Sequence, residues 1–159
     1  MNSGARLDEI LHTVRPPGHL LERPYLQPVY DEPEFVVRNI WRLYGGWWDG
    51  NPATLKPAPE AALATELAAL SGGPSVLADR ALALVETAPD GDADHALRVA
   101  GHLAELAALA APGDEAVQRV RASVFGARAQ HATSTMAKGI FNWAARESSS
   151  HSAGDGAAG

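Results

Sequence analysis

Three groups of residues have types and spacings that could support chemistry. His95 and His102 lie seven apart, so a helix would carry both on one face, with Glu105 one turn beyond His102. A metal site needs three or four such ligands converging. The chain contains neither H-E-x-x-H nor H-x-H-x-D-H, and histidines set among Leu97, Val99, Leu103 and Leu106 read as packed or half-exposed side chains. Thr135 and Lys138 stand at T-x-x-K spacing, like the nucleophile and lysine of some acyl-transfer enzymes. No oxyanion-hole motif accompanies them, and Met136, Ile140, Phe141 and Trp143 read instead as a docking face. Asp31, Glu32, Glu34 and Asp49 lie near aromatic residues, where paired carboxylates can serve acid–base or sugar chemistry. Placement at a helix N-terminus explains the first three more simply, and Asp49 fits an Asp-Gly turn.

The segment from Pro24 to Pro59 concentrates the aromatic residues. It holds all three tyrosines (Tyr25, Tyr30, Tyr44), three of the four tryptophans (Trp41, Trp47, Trp48) and Phe35. Aromatic side chains bury more area than other types, and Trp, Tyr and Arg anchor interface hot spots. Arg38, Trp41, Arg42, Tyr44, Trp47 and Trp48 supply all three types within eleven positions. An interface or core is therefore favoured over a small-molecule pocket. Tyr25, Tyr30, Phe35, Arg38, Trp41, Tyr44, Trp47, Trp48, Asp49 and Asn51 are the expected dimer or domain-interface residues.

These side chains must be positioned by helices. Leu7, Ile10, Leu11 and Val14 have helical spacing and Pro16-Pro17 ends that helix, with a second short helix around His19 to Glu22. Pro24, Pro28 and Pro33 punctuate an extended, turn-containing stretch. Phe35, Val36, Ile40, Leu43, Tyr44 and Trp47 then predict a helix of about three turns with a broad apolar face, loosened at Gly45-Gly46. Beyond Pro59 the pattern predicts helices over Glu60 to Leu70, Ser75 to Glu86, Ala93 to Ala110 and Glu115 to about Arg146. Gly72-Gly73-Pro74, Pro89-Asp90-Gly91-Asp92 and Pro112-Gly113-Asp114 separate them. The expected fold is all-α: a bundle of helix-turn-helix pairs, tetratricopeptide-like over Ala93 to Arg128, with an N-terminal extended aromatic-rich segment. One domain is expected over residues 1–147 (junction segment 1–33, aromatic helix and turn 34–59, helical bundle 60–147). The serine- and glycine-rich residues 148–159 are expected to be a disordered tail.

With a formal net charge of -6 and arginines scattered among acids, no basic stripe is present to track phosphates, which argues against nucleic acid. No window approaches the roughly 20 uninterrupted apolar residues of a membrane span, and the first residues lack an apolar signal core. The chain has no cysteine, which excludes disulfides and cysteine–zinc sites and is compatible with a cytoplasmic location.

The run Tyr44-Gly45-Gly46-Trp47-Trp48-Asp49-Gly50-Asn51-Pro52-Ala53, with Leu55 and Pro57 following, resembles the dimerisation domain of the alkyl sulfatases, metal-dependent sulfate-ester hydrolases related to metallo-β-lactamases. MNSGARLDEILHTVRPPGHL is similar to that family's junction after its catalytic domain, and GGPSVLADRA and HLAELAALAAP resemble the helical pairs that follow. The resemblance covers about Met1 to Arg128, and the MAKGIF region looks like the ending of the shorter members. It implies a non-catalytic, α-helical module that forms a homodimer and presents a metallo-β-lactamase-like catalytic domain, in cis or in trans. It also implies a two-zinc site in that domain, built on an H-x-H-x-D-H cluster that has no counterpart here; no cofactor and no catalytic residue are expected in this chain. The family's C-terminal sterol-carrier-like domain has no counterpart either. The chain is therefore expected to be a fragment of an alkyl sulfatase or a stand-alone helical subunit, the alternative role being a tetratricopeptide-like protein-binding module.

Overall fold

The computed structural model describes residues 4–88 and 93–154, and every regular element among them is helical. The eight α-helices are α1 (Leu7–Thr13), α2 (Gly18–Leu21), α3 (Pro33–Gly45), α4 (Glu60–Ser71), α5 (Pro74–Glu86), α6 (Ala93–Ala110), α7 (Glu115–His131) and α8 (Thr135–Gly154). Short 3-10 turns occupy Pro24–Leu26 and Pro52–Thr54. No single helix among the described residues is long and apolar enough to cross a membrane.

Local chemistry sets most of the boundaries. Pro33 and Pro74 occupy first-turn positions of α3 and α5, where a missing N–H costs nothing. α4 stops at Gly72, whose φ of 99° is left-handed, and Gly73 donates back to the Ala68 carbonyl at 2.7 Å. Asp114 caps α7 by accepting from the Ala116 and Val117 backbone N–H groups at 2.9 and 3.2 Å. The expected break at residues 89–92 lies outside the described residues.

The chain divides into two compact units. Unit 1 comprises Met1–Pro57 with Thr133–Met136, and unit 2 comprises Ala58–Ala132 with Ala137–Gly159. The single helix expected from Glu115 to Arg146 is corrected: it ends at His131 and resumes at Thr135. The cause is long-range: the Thr135 and Met136 N–H groups donate to the carbonyls of Val29 and Tyr30 at 2.8 and 3.2 Å, and the Ser134 hydroxyl donates to Glu32 at 2.7 Å. Those bonds replace the helical ladder. The stretch from Pro24 to Pro33 also differs from a simple extended chain, since Pro24–Leu26 closes a 3-10 turn.

Unit 2 is built on alanine. Ala81, Ala100, Ala104 and Val124 form one buried cluster; Ala68, Leu77, Ala78, Ala107, Ala108 and Val117 form another. Small side chains bury little area each, but they let helix backbones approach closely, so dispersion between backbones contributes more. α4 and α5 meet at a bend of 85°.

α8 is fixed to the rest of unit 2 by charge and aromatic stacking. Arg121, 8% exposed, donates to both carboxylate oxygens of Glu105 at 2.8 and 3.3 Å, to Glu147 at 3.1 Å, to the Ser148 hydroxyl at 2.7 Å and to the Ala144 carbonyl at 3.2 Å. Burial pulls the Arg121 pKa down, but Glu105 and then Glu147 outweigh it and hold the guanidinium above its ordinary value. Phe125 of α7 stacks on Phe141 of α8 at 6.0 Å, and the Arg128 guanidinium lies 4.2 Å from the Phe141 ring centre. Residues 148–154 are accordingly helical, which corrects the expected disordered tail: Ser148 is fully buried against Arg121. Residues 155–159 of that expected tail lie outside the described residues.

Candidate functional site

The expected interface residues all belong to unit 1, where a hydrogen-bonded turn follows α3. The Asp49 carboxylate accepts from the Thr54 hydroxyl at 2.6 Å and from the Asn51 N–H at 2.8 Å. The Thr54 hydroxyl, then the Asn51 N–H, hold its pKa below the ordinary aspartate value, against a smaller opposing effect of burial. Its carbonyl accepts from the Leu7 N–H at 3.0 Å, tying α1 to the turn. Gly50 sits at φ 90°, and a Cβ there would stand 3.2 Å from Arg6 Cγ, so both conformation and space call for glycine. Asn51 caps the following 3-10 turn through the Ala53 N–H at 3.2 Å.

Two tryptophans knit this turn to α3. Trp41 Nε1 donates to the Trp48 carbonyl at 3.1 Å, and Trp48 Nε1 donates to the Asn51 carbonyl at 2.9 Å. Trp41, Trp48, Asp49 and Asn51 therefore serve as scaffold within the chain. Phe35 is half-buried and Arg38 is exposed beside a polar cleft of about 430 Å³ bordered by Arg6, Asp8, Glu9 and Asp49. Tyr25, Tyr30, Tyr44 and Trp47 project outward, each at least 70% exposed.

The apolar face read from α3 is present, and unit 1 covers it only in part. α3 has no buried residue, and Val36, Ile40, Leu43 and Tyr44 are exposed along it. Leu11 is the only buried hydrophobic residue of unit 1 among those described. An apolar groove of about 430 Å³ also opens in this unit between Val14, Leu21, Leu26, Pro28 and Val36. Exposed apolar area of this kind marks an interaction surface.

The other candidate groups do not assemble catalytic chemistry. His95 and His102 are exposed, and Glu105 is committed to Arg121. No group of three or more metal-ligating side chains occurs among the described residues. The Thr135 hydroxyl donates to the Val29 carbonyl at 2.8 Å, which fits a junction role instead of a nucleophile. Asp31 accepts from the Glu32 N–H at 2.7 Å at the start of α3, whereas Glu32 reaches Ser134, a role that helix-terminus reasoning missed. Sequence reading also missed the exposed Val29 and Leu55, and in unit 2 Leu63 and Leu70; the i, i+4, i+7 leucines of α4 were the available signal.

Comparison with known proteins finds alkylsulfatases. A Pseudomonas linear primary-alkylsulfatase is 42% identical over 74 residues, covering 46% of this chain and 14% of the relative. A Pseudomonas (R)-specific secondary-alkylsulfatase is 34% identical over 105 residues, covering 65% of this chain and 15% of the relative. The matched segments thus span about one-seventh of those proteins. Solved structures of the sec-alkyl sulfatase Pisa1 superpose on the fold: a double mutant with TM-score 0.80 at 23% identity, covering 93% of this chain and 22% of that one, and the stereoselective inverting Pseudomonas enzyme with TM-score 0.76 at 23% identity, covering 89% and 22%. The family model for alkyl sulfatase dimerisation matches residues 6–151. The chain belongs to the alkyl sulfatase dimerisation family.

Proposed function

We propose that this chain is the non-catalytic scaffold of an alkyl sulfatase-like hydrolase, and that it pairs two copies through the aromatic surface of unit 1. The observation that carries this reading is the exposure of Tyr25, Tyr30, Tyr44 and Trp47 in a unit whose longest helix, α3, has no fully buried residue. Exposed aromatic side chains grouped in this way mark interaction surfaces, and their residue types are those of interface anchors. On this reading, Trp41, Trp48, Asp49 and Asn51 hold the turn rigid, and rigidity lowers the entropy lost when the surface docks. The sulfate-ester chemistry and its zinc pair reside in a metallo-β-lactamase-like portion, in cis or in trans. The seam between α6 and α7, where Ala100, Ala104, Ala107 and Ala108 pack with Val117 and Val124, supports a tetratricopeptide-like pairing in unit 2.

Light scattering coupled to size exclusion tests the proposal at tens of micromolar chain. A dimer is expected, with Trp41→Ala and Trp47→Ala shifting it toward monomer. A well-folded monomer that these substitutions leave unchanged would sink it. The purified chain is expected to bind no zinc and to hydrolyse no alkyl sulfate; stoichiometric zinc would return His95 and His102 to consideration.

A further inference from the structure

The turn after α3 carries a reactive dipeptide in its main chain. In Asp49-Gly50 the backbone nitrogen of the second residue lies next to the carboxyl of the first, and glycine has no side chain to shield it. The Gly50 nitrogen can form a bond to Asp49 Cγ; the carboxylic acid gives up its hydroxyl and the amide its proton as one water, and a five-membered succinimide closes. A second water then opens the ring. Addition at Cγ returns aspartate, whereas addition at the α-carbonyl breaks that carbon's bond to nitrogen and leaves isoaspartate, whose main chain runs through Cβ and Cγ. No oxidant or reductant is needed. Asn51, two residues on, is spared the same attack because Pro52 has no N–H to lose.

The fold needs this dipeptide where it stands. Gly50 is required by its φ of 90° and by Arg6 Cγ, 3.2 Å from where a Cβ would project. Asp49 is required because its carboxylate closes the turn. The same contacts oppose ring closure. Asp49 Oδ1 accepts from the Thr54 hydroxyl at 2.6 Å and from the Asn51 N–H at 2.8 Å, while the Asp49 carbonyl accepts from the Leu7 N–H at 3.0 Å. Closure consumes the carboxylate that accepts the first two bonds and ties both carbonyl carbons into one planar ring, so those bonds are lost on the way. Thr54, and next Asn51, also keep the carboxyl ionised, and a carboxylate has no hydroxyl to give up.

We propose that Asp49 is a site of isoaspartate formation that Thr54 and Asn51 hold latent in the folded chain. The inference is independent of the pairing proposed above. Isoaspartate inserts an extra carbon into the main chain between Trp48 and Asn51, whose carbonyls receive the indole N–H groups of Trp41 and Trp48 at 3.1 and 2.9 Å. Modification at this one residue thus detaches the turn from α3.

The full-length chain is incubated at neutral pH, folded and in guanidinium chloride, and isoaspartate at residue 49 is followed by peptide mapping with isoaspartyl methyltransferase labelling. Asp90-Gly91 and Asp155-Gly156 in the denatured sample calibrate the unprotected rate. Folded chain should form isoaspartate at residue 49 roughly tenfold more slowly than denatured chain, as expected from hydrogen bonds to a charged acceptor. Thr54→Val should raise the folded rate roughly fivefold, and Thr54→Ser, which keeps the hydroxyl, should not. Trp41→Phe takes a hydrogen bond from the same turn but none from Asp49, and should leave the rate near that of the wild type. Equal rates in folded and denatured chain overturn the proposal. Equal acceleration by Thr54→Val and Trp41→Phe also overturns it, by tracing the reaction to general loosening of the turn.

Discussion

The two units of this chain distribute side-chain size in opposite ways. Unit 2 buries its smallest residues, with Ala81, Ala100 and Ala107 fully inaccessible, whereas unit 1 exposes its largest, with Tyr44 and Trp47 each 76% accessible. Alanine seams stabilise a bundle through close backbone approach and need no partner. Large aromatic side chains left in water contribute little until something covers them. The contrast teaches that stability in unit 2 is built into the chain, while on the proposed reading unit 1 gains stability on association.

Removing Arg121 should have the largest effect on the self-sufficient side of that contrast. Arg121→Ala leaves Glu105 and Glu147 without their shared partner, and a loss of about 2–4 kcal/mol is expected, less than for a fully buried pair because both carboxylates reach solvent. Urea denaturation followed by helical circular dichroism measures it; an unchanged midpoint would mean that the alanine seams alone hold α8. On the conditional side, Tyr44→Ala with Trp47→Ala should weaken dimerisation by about 2 kcal/mol or more, near thirtyfold, yet leave the unfolding of unit 2 intact. Loss of stability in unit 2 at equal magnitude would break the contrast.

A glycine pair sharpens the picture of how tightly unit 2 is packed. At Gly101 a Cβ would stand 2.4 Å from Arg128 Nη1, so Gly101→Ala forces the guanidinium off the Phe141 ring. That loss outweighs the gain in helix propensity, and a net cost of about 1 kcal/mol is expected. At Gly126 a Cβ would meet nothing within 4 Å, so Gly126→Ala should stabilise by about 0.5–1 kcal/mol. Thermal melts of the two variants should move in opposite directions.

The smallest effect concerns pH. Because the folded Asp49 pKa is depressed, its turn contributes stability above the pKa of the unfolded chain, and that contribution is lost as pH falls through the lowered folded value. Tryptophan fluorescence should report loosening around Trp48 in acid, and Asp49→Asn should flatten that part of the profile. An identical acid transition in the variant would assign it to other carboxylates.

Most of the helices were legible because their ends are local events: Pro33, Gly72, Pro74 and Asp114 each act on the backbone within a turn. The aromatic run was legible as the mark of the family because its residue order follows the family pattern. The interruption between α7 and α8 was not, since Ala132-Thr133-Ser134 contains neither Pro nor Gly and the competing partners, Val29, Tyr30 and Glu32, lie about a hundred residues away. The Arg121 cluster was equally silent: Glu105, Arg121 and Glu147 sit on three helices, and no spacing rule relates them. The serine-rich end read as disordered by composition, but Ser148 is small enough to fit beside Arg121 and satisfy it. Division of the ten expected interface residues into those hydrogen-bonded within the turn and those that project outward also required geometry, because a tryptophan's N–H partner is invisible in its neighbours.

The return of Thr133–Met136 to unit 1 has a consequence for how this protein can be cut or recombined. Unit 1 is discontinuous along the gene, with the bulk of unit 2 encoded inside it. A boundary drawn after Pro57 would strip unit 1 of the backbone that occupies the Val29 and Tyr30 carbonyls. A cut that preserves unit 1 must therefore keep Thr133–Met136, and with it the intervening chain.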